Sequence, residues 1–193
     1  MMIRKKLCLL LFLLALCTGA KSQSVAVKSD LLSDALLNVN LGVEFGLAPK
    51  WSLDLAGEYN GWTVDGHKWK HWYAQPELRY WFCDRFARHF VGLHALGGQY
   101  NFGNLSNHIN FLGSDLSKLS DYRYQGWAVG GGLAYGYAFI LSRHWNLELE
   151  LGVGYLYTEF DKFECKDCGR KVDSKSHNYV GPTKAAVNLV YLF

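Results

Sequence analysis

The sequence offers little to a helical reading. No stretch sustains the apolar spacing of an amphipathic helix. Its one continuous apolar run, Leu7 to Leu16, falls well short of the roughly 20 residues a helix needs to span a bilayer. Proline occurs three times in 193 residues, whereas glycine occurs 20 times and aromatic residues make up 16% of the chain. That mixture suits strands better than helices. Charge of one sign is also missing once the N-terminus is set aside. The 20 basic residues exceed the 17 acidic ones only because Arg4, Lys5 and Lys6 stand in the first 20 positions; beyond Ala20 there are 17 of each. A balanced surface gives no basic face for nucleic acid.

The N-terminal segment, MMIRKKLCLLLFLLALCTGAKSQS, is ordered as positive charge, apolar run and small residues Thr18, Gly19 and Ala20. This is the order of a secretory signal peptide. Residues 1–20 are therefore expected to be cleaved, leaving a single domain over 24–193. A lipidation site at Cys17 is disfavoured by the bulky Leu16 before it. Export to an oxidising compartment leaves three cysteines, Cys83, Cys165 and Cys168.

What is present is alternation with period two. Leu41, Val43, Phe45 and Leu47 alternate with Gly42, Glu44 and Gly46. Trp51, Leu53 and Leu55 alternate with Ser52, Asp54 and Ala56. Further along, Trp72 to Phe82, Trp127 to Phe139, Trp145 to Tyr157 and Val187 to Phe193 repeat the pattern. With a first strand over Val25–Leu32 and a strand of uncertain parity over His89–Phe102, the count is eight. Connections alternate between short (Ala48–Lys50, Cys83–Arg88, Leu141–His144) and long and polar (Trp62–Lys70, Gly103–Asp121, Asp161–His177). An even number of strands with short turns at one end and long loops at the other predicts an all-β, eight-stranded antiparallel up-and-down transmembrane β-barrel, with short periplasmic turns and longer extracellular loops.

The two faces assign inside and outside. One face of nearly every strand is large and apolar. The other carries Glu44, Asp54, Glu58, Glu77, Arg79, Glu148, Glu150 and Lys184 among small residues. An eight-stranded barrel has room inside only for side chains, so the polar face is expected to form a paired lumenal network that plugs the bore. Glu148 and Glu150 would find cations among Arg79, Lys184, Lys28 and Arg123. The apolar face would meet lipid, with aromatic belts at each boundary: Trp51, Trp81, Phe82, Phe139, Trp145, Tyr191 and Phe193 at the short-turn end, and Tyr59, Trp72, Tyr100, Tyr122, Tyr124, Trp127, Tyr155, Tyr157 and Tyr179 at the other. A soluble two-sheet sandwich is the competing architecture.

The last residues, KAAVNLVYLF, form a strand with Val187, Leu189, Tyr191 and Phe193 on one face. This ending resembles the C-terminal signal of bacterial outer-membrane proteins, which implies that Tyr191 and Phe193 are read by the barrel-assembly machinery. The stretches NLGVEFGLAPKWSLDLAGEYNGW, KHWYAQPELRYWFC and HFVGLHALGGQYN resemble a family of small exported proteins of Bacteroides-type bacteria, known as domain of unknown function 3575. The resemblance implies an outer-membrane barrel and, for some members, a link to surface fimbriae. It supplies no activity and no catalytic residues.

Motifs for chemistry are sparse. Cys165-Lys166-Asp167-Cys168 is half of a four-ligand zinc site and lacks the βαβ setting of a redox motif. A short disulfide in a loop is the plain expectation, with reduced thiols or a metal as alternatives. No close serine–histidine spacing marks a nucleophile and its base. The expectations are thus no catalytic residues, cofactor or metal; outer-membrane lipid, the assembly machinery and a surface-assembly protein as partners; no nucleic acid; and residence in the outer membrane. The expected role is structural or binding, in membrane integrity, adhesion or support of a surface assembly. The alternatives are a small transport barrel for small or hydrophobic molecules and a lipid-modifying enzyme.

Overall fold

The computed structural model describes residues 24–64, 67–103, 110–111, 114–115, 123–163 and 170–193. The expected signal peptide and the Cys165/Cys168 pair lie outside them. Eight long strands follow one another: β1 (Val25–Asp30), β2 (Val39–Ala48), β3 (Trp51–Asn60), β4 (His67–Trp81), β5 (Arg88–Gly103), β6 (Arg123–Ile140), β7 (Trp145–Phe163) and β8 (Lys171–Leu192). Each pairs antiparallel with the next, and β8 pairs with β1, with Ala26 opposite Leu192 and Asp30 opposite Asn188. The sheet is therefore a closed ring, which leaves no free edge where β1 and β8 meet. The Phe193 N–H completes the closure by donating to the Val25 carbonyl at 3.0 Å.

Alternation in sequence becomes inside and outside in the ring. The outward positions are Val39–Leu47 on β2, Trp51–Tyr59 on β3, Trp72–Phe82 from β4 on, His89–Gln99 on β5, Trp127–Phe139 on β6, Trp145–Tyr157 on β7 and Ala185–Phe193 from β8 on. None of these carries Asp, Glu, Lys or Arg. Large apolar side chains there are exposed, among them Leu93, Leu133 and Leu151 at 60%, 66% and 72%. Most inward positions are small or polar, and the parity of β5 resolves with Phe90, Gly92 and His94 inside.

Four expectations need correction. The first strand stops at Asp30 rather than Leu32, because the Asp30 carboxylate accepts the Leu32 N–H (3.1 Å) and starts a one-turn helix, α1 (Leu31–Ala35). Strands consume much of the expected loops: β4 begins at His67, β7 runs to Phe163 and β8 begins at Lys171. Trp81 is not in a boundary belt. It shares the inward face with Arg79, is fully buried, and packs on Phe90 and Phe86 with ring centroids 4.6 and 6.0 Å apart. Tyr100 also points inward, where its hydroxyl pairs with Thr158 Oγ1 at 2.7 Å.

Candidate functional site

The lumen has three storeys. At the short-turn end an apolar plug gathers Ala26, Trp81, Phe86, Phe90, Ala138, Val190 and Leu192. Phe86 reaches it from the β4–β5 turn by adopting a left-handed backbone (φ 63°), a conformation uncommon for a non-glycine residue. Asn146 holds that turn, its Nδ2 donating to the Phe86 carbonyl at 2.7 Å.

Above the plug lies the charged network. Arg79 is its hub. Its Nε donates to Glu77 at 2.6 Å, Nη1 to Glu44 at 2.8 Å and Glu148 at 3.1 Å, and Nη2 to Glu150 at 2.7 Å; Nη2 also forms an ion pair with Asp54 at 2.9 Å. A guanidinium has five N–H donors, and here four hydrogen bonds and one ion pair bring it to five different carboxylates. The underside of the guanidinium sits 4.5 Å from the centre of the Phe90 ring. Lys28 joins the same carboxylates from β1, at 3.0 Å from Glu148 and in contact with Glu44. Lys184 joins from β8, at 2.8 Å from Glu77 and 3.1 Å from Glu150. Ser52 bonds Glu44 and accepts the Trp81 Nε1–H at 2.8 Å, tying the network to the plug.

Small residues make this crowding feasible. A Cβ on Gly92 would sit 2.5 Å from the Glu77 carboxyl carbon, and one on Gly152 would sit 3.0 Å from His94 Cε1. An extra residue in β8 at Thr183, where the β7–β8 register shifts, turns its hydroxyl inward to His94 Nε2 at 2.8 Å.

The upper storey is centred on Glu58. Ser33 (2.5 Å), Asn38 (2.7 Å), Tyr73 (2.8 Å) and His71 (2.8 Å) surround its carboxylate, which tethers α1 to β3 and β4. Beside it is an open cavity of about 500 Å³, bounded by Leu32, Leu36, Leu96, Tyr100 and Phe102. A smaller space of about 190 Å³ beneath it reaches down to Lys28, Asp54 and Lys184.

The structure thus brings Glu44, Asp54, Glu77, Arg79, Glu148, Glu150 and Lys184 into one buried network. Glu58 stands apart in the storey above. Lys28 is a partner of Glu148, and Arg123 lies at the far end of β6. Sequence reasoning missed Ser52, Asn146 and the aromatic plug. It also missed the Ser33–Glu58–Tyr73 cluster, although Tyr73 shares its strand face with Glu77 and Arg79. Tyr191 and Phe193 lie on the outer surface, in contact with each other (centroids 4.9 Å) and, through Tyr191, with Trp145 (5.0 Å). Among the described residues no group of three or more His, Cys, Asp or Glu converges as metal ligands.

An uncharged apolar wall around a charge-filled bore defines a small closed β-barrel of inverted polarity, polar inside and apolar outside. The family described as protein of unknown function (DUF3575) matches residues 8–193, and the chain belongs to it. Comparison with curated proteins finds no match.

Proposed function

We propose that the protein is an outer-membrane β-barrel with a structural and binding role, anchoring its long-loop end at the cell surface in support of membrane integrity, adhesion or a surface assembly. The observation that carries this reading is the outer wall. A surface of apolar side chains with no charge on its outward positions is costly in water and stable in hydrocarbon. Up to the level where Asp30 faces Asn188, the backbone groups of the ring are paired from strand to strand, as lipid requires. Surrounding lipid, the assembly machinery that reads Tyr191 and Phe193, and a protein at the surface are its partners. The reading includes no catalytic step.

Plug and network together argue against a wide aqueous channel. The upper cavity favours a second reading, in which the barrel binds a small hydrophobic molecule. Cell fractionation tests the first. The mature chain is expected with the outer membrane and is expected to migrate differently on gels when left unboiled. Recovery as a soluble periplasmic protein would contradict it. Cross-linking from the long loops in intact cells then identifies the surface partner.

A further inference from the structure

The ladder of the ring is interrupted above Asp30. β1 ends there, level with Asn188 of β8 and just past Gly42 of β2. Beyond that level β8 pairs with β7 alone, from Lys171 to Val187, and Val39–Leu41 of β2 pair with β3 alone. The edges of β2 and β8 that a longer β1 would have bridged face each other across about two strand spacings, ~10 Å. An open sheet edge does not face hydrocarbon unless something covers it or it lines a cavity.

Here α1 covers it, touching both β8 and β2. Its polar groups turn to the barrel. Ser33 and Asn38 bond Glu58, while the Asp30 carboxylate that caps the turn also accepts the Val187 N–H of β8 at 3.0 Å. The leucines of α1 and of the turn that follows it are exposed: Leu31, Leu32, Leu36 and Leu37 by 40%, 46%, 67% and 61%. Leu32 and Leu36 also bound the cavity of about 500 Å³. This one short segment therefore carries apolar side chains on the cavity wall, Leu32 and Leu36, and others that do not line the cavity, Leu31 and Leu37.

We propose that this seam is a lateral portal. Through it the hydrocarbon chain of a single-chain amphiphile, a fatty acid, passes from the membrane into the upper cavity, with α1 as the movable partition. The inference rests on the membrane reading above and gives the hydrophobic ligand of the second reading a source and a route. Continuity argues for a membrane-borne occupant. The portal is flanked by Leu41 and Val187, both on the apolar outer wall, and leads to Leu96 and Phe102 inside. Its width, one missing strand, admits one chain. The cavity falls within the ~300–1,000 Å³ of small-molecule pockets. The plug below makes the cavity a binding site with one blind end.

The test uses the full mature chain in phosphatidylcholine vesicles containing palmitic acid with a terminal diazirine, photolysed and mapped by mass spectrometry. Adducts are expected on the outward Leu133 and Leu151 and also on the inward Leu96 or Phe102. The double variant Leu36→Lys, Leu37→Lys places charge at the portal and leaves the mouth open to water. It should lower the inward adducts about tenfold or more, since charge resists hydrocarbon, while outward adducts and gel mobility of the unboiled protein stay those of the parent. Leu96→Trp, which fills the cavity, should abolish inward adducts with α1 intact. Outward adducts alone in the parent would overturn the portal and leave the membrane reading standing. Inward adducts undiminished in the lysine variant would overturn the lateral route. No adducts, with a chain that does not float with the vesicles, would overturn the membrane reading and the portal with it.

Discussion

Arg79 decides whether the lumen can exist as built. Five buried carboxylates and three buried cations are assembled there, and one guanidinium touches all five acids. Removing one partner of a buried ion pair typically costs about 3–5 kcal/mol, because the remaining charges stay buried without compensation. Arg79→Met should therefore lower the stability of the refolded barrel in detergent by at least that range, read from its urea midpoint. Lys50→Ala, at an exposed turn, should stay within about 0.5 kcal/mol of the parent. A midpoint for Arg79→Met equal to the parent's would show that the network does not hold the barrel. Gly92→Ala tests the same packing without touching a charge. Its new Cβ competes with the Glu77 carboxyl, which Arg79 and Lys184 pin in place, so a loss of about 1–3 kcal/mol is expected. The charged members were legible in the sequence, since period-two alternation places Glu77 and Arg79 on the small, polar face. Trp81 follows the same parity, yet its aromatic ring suggested the membrane boundary. Position on the strand face was the better guide than residue type. Gly92 could not be assigned its role, because the packing that needs it comes from a neighbouring strand.

At the scale of elements, long strands with apolar alternation were legible as strands, and their ends were not. β7 and β8 extend to Phe163 and Lys171 because their tips are joined by side chains that sequence shows only as polar loop. Asp161 receives the Lys171 ammonium at 2.7 Å and the Ser174 hydroxyl, which together hold its carboxyl below the ordinary aspartate value. A lowered pKa means that these bonds favour the folded tip above the ordinary value of ~3.9 and lose that effect as pH falls through the folded value. Carbon NMR of Asp161 should show titration below the ordinary value, and Lys171→Ala should move it up. An unchanged titration would remove the pair from the account of the tip. α1 was hidden for a different reason. A strand pattern over Val25–Leu32 continues smoothly into Leu31 and Leu32, and only the Asp30 carboxylate, turning to cap its own chain, ends it. Asp30→Leu should remove that cap and the bond to Val187 together. Faster hydrogen exchange of the Leu32 and Val187 amides is expected, with the β6–β7 ladder unaffected; equal protection in both proteins would show that Asp30 does not fix the seam.

For the whole molecule, closure and polarity carry the account. The even strand count, the alternating connection lengths and the two faces were all in the sequence. Closure by β1 with β8 followed from the barrel reading, because an open edge in lipid leaves backbone groups unpaired; the aromatic floor of the lumen depends on contacts between residues far apart in the chain, which alternation within single strands does not encode. A bore crossed by Arg79 and floored by Trp81 and Phe90 should pass no steady current in planar bilayers, and reproducible porin-like steps would favour transport instead. The central claim is that the apolar face of this ring meets hydrocarbon. Single spin labels at Val129, Leu133, Tyr135, Tyr137 and Phe139, along the outward side of β6, read this directly in phospholipid vesicles. Apolar oxygen should relax the labels more than a water-soluble nickel chelate does, most strongly at Leu133, with the balance reversing toward the strand ends. Greater accessibility of Leu133 to the chelate than to oxygen, in protein refolded with the parent's gel mobility, would contradict the account.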